Sequence, residues 1–414
     1  MNVEVSLTSR KNQNNEMRKA TAIAHTRINT IDVMRALAMF LMIFVNDLWS
    51  LTGVPDWLGH TLAEEDGMGF SDVIFPLFLF IVGLSIPLAI NVRFKRKETY
   101  SAIIGHIATR TFALLVMGFY MVNCGVINQE LTGMDEIIWQ ILMVAAFFFI
   151  WVDYNRLPNL HKGLIWGFQI TGWVILIYLA WIYRSGTTEY IEWMRPRWWG
   201  ILGLIGWAYL LNSLVYLLVH KRFGHVLVVF LFLLFMNVQE NGFFEFLPSF
   251  RFVISASNHV LVMAGMLCTM FYLRFKKEEL QINRFLGLIG LAGGFFAFYG
   301  FLIRPAFPIS KILATPSWTS ICIGISLLFY ALLFIVVEMK GNYRWAYPIR
   351  AAGTSTLTCY IMPYFIYPGI VLFGFQWPGI LTDGFLGIVK SLLFSLAIIL
   401  FVGMLEKTNL RLKV

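Results

Sequence analysis

Between Asn46 and Asp72 the chain gathers side chains that can move a proton. His60 supplies an imidazole, the group best matched to proton transfer near neutral pH. Asn46 and Asp47 precede it and Asp72 follows it, so one loop can return the chain beside an amide and two carboxylates. Ser71 or Asp72 suits the cap of the helix that follows, with Pro76 in its first turns. A capping carboxylate still has one oxygen free to orient a neighbouring ring. Read alone, His60 is a solvated loop histidine and Asp72 a cap; it is their proximity that suggests chemistry.

The elements that must position these groups are membrane helices. The 414 residues are 58% hydrophobic with a mean hydropathy of +0.72, too apolar for a soluble fold. A bilayer core about 30 Å thick takes roughly 20 apolar residues per helical span. Such runs fill nearly the whole sequence and lack the alternation of a membrane β-barrel. The fold class expected is all-α, a polytopic transmembrane bundle of about 10–12 spans. Twelve candidate spans begin near residues 30, 70, 102, 136, 163, 198, 225, 256, 284, 317, 353 and 384. The seventh, His225 to Asn237, is short and reads as re-entrant or packed inside protein. The expected division is a tail over 1–29, one transmembrane domain over 30–405 and a second tail over 406–414.

Orientation follows from the basic residues. The two tails and the even-numbered loops hold 23 Lys and Arg, the odd-numbered loops 6, and 3 lie within spans. The positive-inside rule puts both termini in the cytoplasm. The loop from Leu51 to Gly69 has four acids and no basic residue, and so faces outward. The net charge of +9 is therefore a topology signal split among short loops, which argues against a nucleic-acid partner. The polar first 29 residues lack the apolar core of a signal peptide, so the first span is expected to act as an uncleaved anchor. Cys124, Cys268, Cys322 and Cys359 are scattered, with neither metal spacing nor a disulfide framework. Walker, dinucleotide and Gly-x-Ser-x-Gly patterns are absent, and no metal is expected.

In the first helix Asp32, Arg35, Met39, Met42 and Asn46 recur at helical spacing and share one face. A polar stripe is costly against lipid, so it should look into the protein. The third helix adds His106 and Arg110 one turn apart, after a loop with Arg93, Lys95, Arg96 and Lys97. Guanidinium forks suit phosphate, and for Arg110 that reading stands level with positive-inside anchoring, while for the loop residues anchoring with snorkelling is the favoured reading. Arg195, Arg197, Trp193, Trp198 and Trp199 read as an interfacial belt. The hydroxyl-rich run Gly353 to Tyr360 reads as a site of close helix packing. Lys390 is expected to snorkel outward.

At these residues the chain resembles the heparan-α-glucosaminide N-acetyltransferase family and its bacterial relatives, part of a broader group of transmembrane acyltransferases. The matching pattern is Asp32-x-x-Arg35, Val45-Asn46, His60, Asp72-Val-Ile-Phe75-Pro76 and Phe80-Ile-Val-Gly83-Leu-Ser85-Ile86. Weaker likeness returns at Pro308-Ile-Ser-Lys311, Thr315-Pro-Ser-Trp318, Gly353 to Tyr360 and Leu410 to Val414. Ala36 departs from the family's Gly, and Ser310 and Ser355 stand where it tends to have Asn. The loop between His60 and Asp72 is longer and acidic, and it lacks the Trp that usually follows the His.

The resemblance implies acetyl transfer from cytoplasmic acetyl-CoA to a glycan or amino-sugar acceptor across the membrane, on nitrogen or oxygen. The donor arm would lie along the first helix, with its phosphates near Arg35, Arg110, His106 or the basic loop, and Lys311 counted among the donor-site cations. His60 would deprotonate the acceptor or carry the acetyl as an acyl-imidazole. Asp47 or Asp72 would orient its ring and Asn46 would stabilise the oxyanion. The rival reading is a secondary transporter or flippase for a glycan or lipid intermediate. Transporters often repeat their broken helices in both halves, and no second copy of the Asp32–Pro76 pattern occurs. The compact loops suit a bacterial inner membrane; a homodimer is an assembly open to such a chain.

Overall fold

The computed structural model describes residues 28–158, 160–220, 222–243, 251, 253–277 and 282–414. Most of the expected N-terminal tail, residues 1–27, thus lies outside the described residues. A helix occupies each of the twelve expected positions. They are α1 (Asn29–Asp47), α2 (Ser71–Lys95), α3 (Tyr100–Cys124), α4 (Glu136–Trp151), α5 (Lys162–Ile182), α6 (Gly200–Val219), α7 (Phe223–Glu240) and α8 (Ala256–Lys277). Next come α9 (Ile282–Leu302) and α10 (Pro316–Phe334), then the pieces α11 (Arg350–Thr354), α12 (Thr356–Ile361) and α13 (Pro363–Leu372), and finally α14 (Gly384–Lys407). The strands among the described residues are Ser185–Gly186 and Ile191–Glu192, one small hairpin. The chain is a polytopic helical bundle.

Among the described residues nine helices are long and apolar enough to cross a bilayer: α2, α3, α5 to α10 and α14. The expectation for the seventh segment is corrected here, since α7 runs unbroken for 18 residues. The interruption falls in the eleventh. There Arg344–Thr354 and Thr356–Leu372 are together long and apolar enough to cross but meet at 78°. Irregular backbone at membrane depth is tolerated where it is buried in protein or lines a cavity, and this break does line one, as described below.

Lipid-facing surfaces explain the composition. On α5, Trp166, Ile170, Val174, Ile177 and Trp181 are all exposed, and α9 exposes Leu291, Phe295, Phe298 and Leu302 in the same way. By contrast α1, α2, α8 and α10 form the core. The crossing of α2 and α8 is tight enough to need glycine on both sides. A Cβ on Gly83 would stand 1.9 Å from the Val262 carbonyl oxygen, and one on Gly265 would stand 2.0 Å from that of Phe80. Backbone atoms cannot swing aside as a side chain can. Gly83→Ala is therefore expected to destabilise the bundle by about 1–3 kcal/mol, seen as a lowered melting temperature in detergent; an unchanged melting temperature would contradict the packing described.

Candidate functional site

The loop after α1 folds back over the start of α2 and is held there by backbone contacts. Phe70 N–H donates to the Trp57 carbonyl at 2.7 Å, and the Ser71 hydroxyl donates to that of Leu58 at 2.6 Å. At Gly69 the two arms of the loop nearly touch: a Cβ there would lie 2.1 Å from the Gly59 oxygen. This close return sets His60 above Asp72. His60 Nδ1 lies 2.7 Å from Asp72 Oδ1. The other carboxylate oxygen, Oδ2, accepts from Thr61 N at 3.1 Å, Thr61 Oγ1 at 3.2 Å and Gly69 N at 3.0 Å. Asp72 is thus not the expected helix cap. Its side chain reaches backward to fasten the loop, and the helix start carries no side-chain cap. With Oδ2 taken by three donors, Oδ1 is left to orient the ring.

Asp72 is 1% exposed whereas the His60 side chain is 50% exposed. A buried carboxylate accepting Nδ1–H leaves Nε2 with its lone pair, on a side chain that is half exposed. That is the tautomer a general base needs.

A third group completes the cluster. Lys311 Nζ lies 3.1 Å from His60 Nδ1 and 3.4 Å from Asp72 Oδ1. The loop between α9 and α10 brings it there, and Asp66 holds that loop: Asp66 Oδ1 accepts from Ile309 N at 2.7 Å, and Oδ2 from Arg304 Nε at 2.8 Å. The Ile309 amide, with Arg304 beside it, keeps the Asp66 carboxyl below the usual carboxylate range. Burial pushes the Lys311 ammonium down from the ordinary lysine value, and the Asp72 charge partly offsets this. Lys311, expected with the donor-site cations, stands instead at the end of the bundle that holds His60.

The opposite end holds a cavity of about 330 Å³. Arg35, Met39 and Met42 of α1 line it, so the polar stripe does look inward. Arg35 is fixed by Asp32 at 3.2 Å, by Ser85 Oγ at 2.8 Å and by the Gly353 carbonyl at 3.4 Å. Arg110 faces the same space, its guanidinium 4.7 Å above the Tyr209 ring, with a buried Nε that has no hydrogen-bond partner among the described residues. The break in the eleventh span contributes Gly353 to Thr356, and Ser355 Oγ is likewise buried without a partner. Arg411 and Lys413 complete the basic lining. In the sequence these two read as part of a terminal tail. They are drawn in because Leu412 N donates to Thr358 Oγ1 at 2.9 Å and Lys413 N to the Trp151 carbonyl at 2.8 Å. His106 is exposed on α3 and does not line the cavity, nor do the loop residues Arg93 to Lys97.

A second cavity of about 510 Å³ continues along α1 and shares Ile201, Leu202 and Tyr360 with the first. Asn46 and Trp49 line it, facing Glu136, Gln140, Trp198 and Tyr367. His60 lines neither cavity.

Asp47 is separated from His60 by its own partners. Its carboxylate accepts from Lys390 Nζ at 2.9 Å and Ser391 Oγ at 2.5 Å, and Tyr367 donates its phenol hydroxyl to it. Of the two candidate orienting carboxylates, Asp72 is the one on the ring. The expectation that Lys390 snorkels outward is also corrected, because its side chain is 6% exposed and paired with Asp47.

Comparison with known proteins bears out the resemblance on these residues. Residues 27–150 match the family model described as heparan-alpha-glucosaminide N-acetyltransferase, catalytic. The segment contains Asp32, Arg35, Asn46, His60, Asp72 and Arg110. The chain is 34% identical over 97 residues to heparan-alpha-glucosaminide N-acetyltransferase of Homo sapiens, covering 23% of this chain and 14% of that protein. It is 32% identical over 108 residues to the Mus musculus protein of the same name, covering 26% and 15%. The chain thus spans a small part of the length of the curated relatives it matches. Lys311, Ser355, Lys390 and Arg411 lie beyond the matched segment.

Proposed function

We propose that this chain is a membrane acetyltransferase that takes acetyl from acetyl-CoA at the end holding Arg35 and delivers it to a glycan or amino-sugar acceptor at the end holding His60. Residues 30–405 form its single transmembrane domain, flanked by two cytoplasmic tails in a bacterial inner membrane. The observation that carries this reading is the convergence of Arg35, Arg110, Arg411 and Lys413 on one cavity that continues along α1 toward Asn46. An apolar space closed at one end by four cations suits an anionic head with a long neutral arm. Arg110 Nε and Ser355 Oγ, both buried without hydrogen-bond partners among the described residues, are the polar atoms such an arm would satisfy.

At the far end His60 Nε2 takes the proton of the acceptor amine or hydroxyl as the new bond to the acetyl carbon forms, and gives it to the sulfur as the carbon–sulfur bond breaks, so that CoA leaves as the neutral thiol. Asp72 holds the ring through Nδ1. Asn46, in the last turn of α1 and lining the second cavity, would donate to the oxyanion in this reading.

Binding of acetyl-CoA to the purified protein in detergent tests the donor site. Arg110→Ala should weaken it by about tenfold or more, the scale of a hydrogen bond to a charged group. Lys95→Ala, in the loop outside the cavity, should leave it unchanged. Equal affinities in wild type and Arg110→Ala would sink the donor assignment. Saturable movement of a glycan across sealed vesicles without acetylation would favour the transporter reading instead.

A further inference from the structure

The ring of His60 faces charge from several directions. Asp72 of α2 lies on its Nδ1, and Lys311, from the loop before α10, lies on the same edge. Beneath them Cys322 of α10 is buried. On the ring's own loop Glu65 is turned to the Leu62 amide at 3.2 Å, and Asp66 is neutralised by Arg304. Lys311 is therefore the one cation within contact of the ring among the described residues.

Two hydrogen-bond assignments compete at Nδ1. In one, Lys311 donates to an Nδ1 lone pair, and the carboxylate oxygen 2.7 Å away then faces that lone pair, which is repulsive. In the other, Nδ1–H donates to Asp72 and Lys311 pairs with the same carboxylate oxygen at 3.4 Å. The shorter contact decides for the second. In this arrangement Lys311 and His60 share one carboxylate oxygen, and the ammonium lies 3.1 Å from Nδ1.

We infer that Lys311 is a positioning residue of the reaction proposed above: it steadies Asp72 as the acceptor of His60 Nδ1–H, fixing the tautomer, and sets a positive charge against the ring. Its reach depends on the acidic loop. Asp66 binds Arg304 and the Ile309 amide, Gly67 N donates to the Ile309 carbonyl at 3.0 Å, and Ser310 Oγ donates to Ala63 O at 3.4 Å. These contacts tie the two loops together one residue from Lys311. The extra acidic length between His60 and Asp72 thereby carries the clasp that delivers the cation.

The inference rests on the acetyltransferase reading for its purpose, and its test is chosen to stand apart from that reading. Diethyl pyrocarbonate acylates neutral imidazole and needs neither donor nor acceptor. Its reaction at the His60 peptide can be followed by mass spectrometry across pH 5–8 in protein of intact elution profile. In Lys311→Met the pH at which His60 becomes reactive should rise by roughly one unit, the scale of removing one contacting charge. Lys311→Arg should restore the wild-type position, and Asp66→Asn should shift it in the same direction as Lys311→Met by a smaller amount. The acid limb of kcat/KM for acetyl transfer should move in parallel. Superimposable reactivity profiles in wild type, Lys311→Met and Asp66→Asn would overturn the inference. If Lys311→Met fails to fold, Asp66→Asn and Lys311→Arg still decide it. Shifted reactivity in a protein that transfers no acetyl would retain the Lys311 role and remove the acetyltransferase reading.

Discussion

His60→Ala protein that elutes and melts like the wild type is expected to lose the proposed acetyl transfer by about 10²–10⁴-fold, the contribution of a positioned acid–base group. The geometry makes the expectation sharp. His60 Nδ1 is committed to Asp72, Asp72 is committed to four donors from His60, Thr61 and Gly69, and Nε2 is the ring nitrogen left for the acceptor. Asp72→Asn should lose less than His60→Ala in chemistry but more in loop order, because the amide cannot accept on both sides. Release of CoA and incorporation of labelled acetyl into an amine or hydroxyl acceptor give the measurement. Full activity in a folded His60→Ala protein would remove the ring from the reaction.

The second large effect concerns stability. Asp47 and Lys390 are 1% and 6% exposed and their atoms meet at 2.9 Å, joining α1 to α14, with Tyr367 adding the second limb of the broken span. Truncating one partner strands a charge in a low-dielectric interior. Lys390→Ala or Asp47→Ala is expected to cost about 3–5 kcal/mol, enough to deplete folded protein from the membrane. Replacing both partners by apolar residues of similar volume should recover much of the loss, since desolvation of the pair is then avoided. Thermal unfolding in detergent across the two single variants and the double variant makes the check. Additive losses in the double variant would show that the two charges do not act as a pair.

How much of this was legible in the residues differs by range. Helix positions were readable because apolar runs are local, and the stripe from Asp32 to Asn46 was readable because its period is that of one helix. The His60–Asp72 contact was inferable because only eleven residues intervene, with Gly69 at the point where the arms nearly touch. What escaped notice depends on partners far along the chain. Asp47 looked available to His60 until Lys390 claimed it, and Lys390 looked like an interfacial lysine. Arg411 and Lys413 looked like tail charges, and nothing local shows that the last residues pair with Val152 and Thr358. Small hydroxyl residues suit both close packing and a helix break, so the run around Ser355 reads locally as a packing site. The signal of the break was present in the Gly-Thr-Ser-Thr run followed by Pro363 and Pro368, a poor composition for one straight helix.

The sorting of charge along the two cavities has an electrical consequence. Basic side chains line the first cavity, whereas the lining of the second contains none, and Glu136 is its sole ionisable carboxylate. Moving one elementary charge through a membrane potential of 100 mV takes about 2.3 kcal/mol of work. Under the proposed reaction the donor's phosphates never leave the cationic vestibule, and the part that advances past Tyr360 is a neutral thioester. The group carried across the bilayer thus does no work against the field. An energised membrane would neither drive nor oppose its passage, and the free energy of the thioester alone would set the direction of transfer.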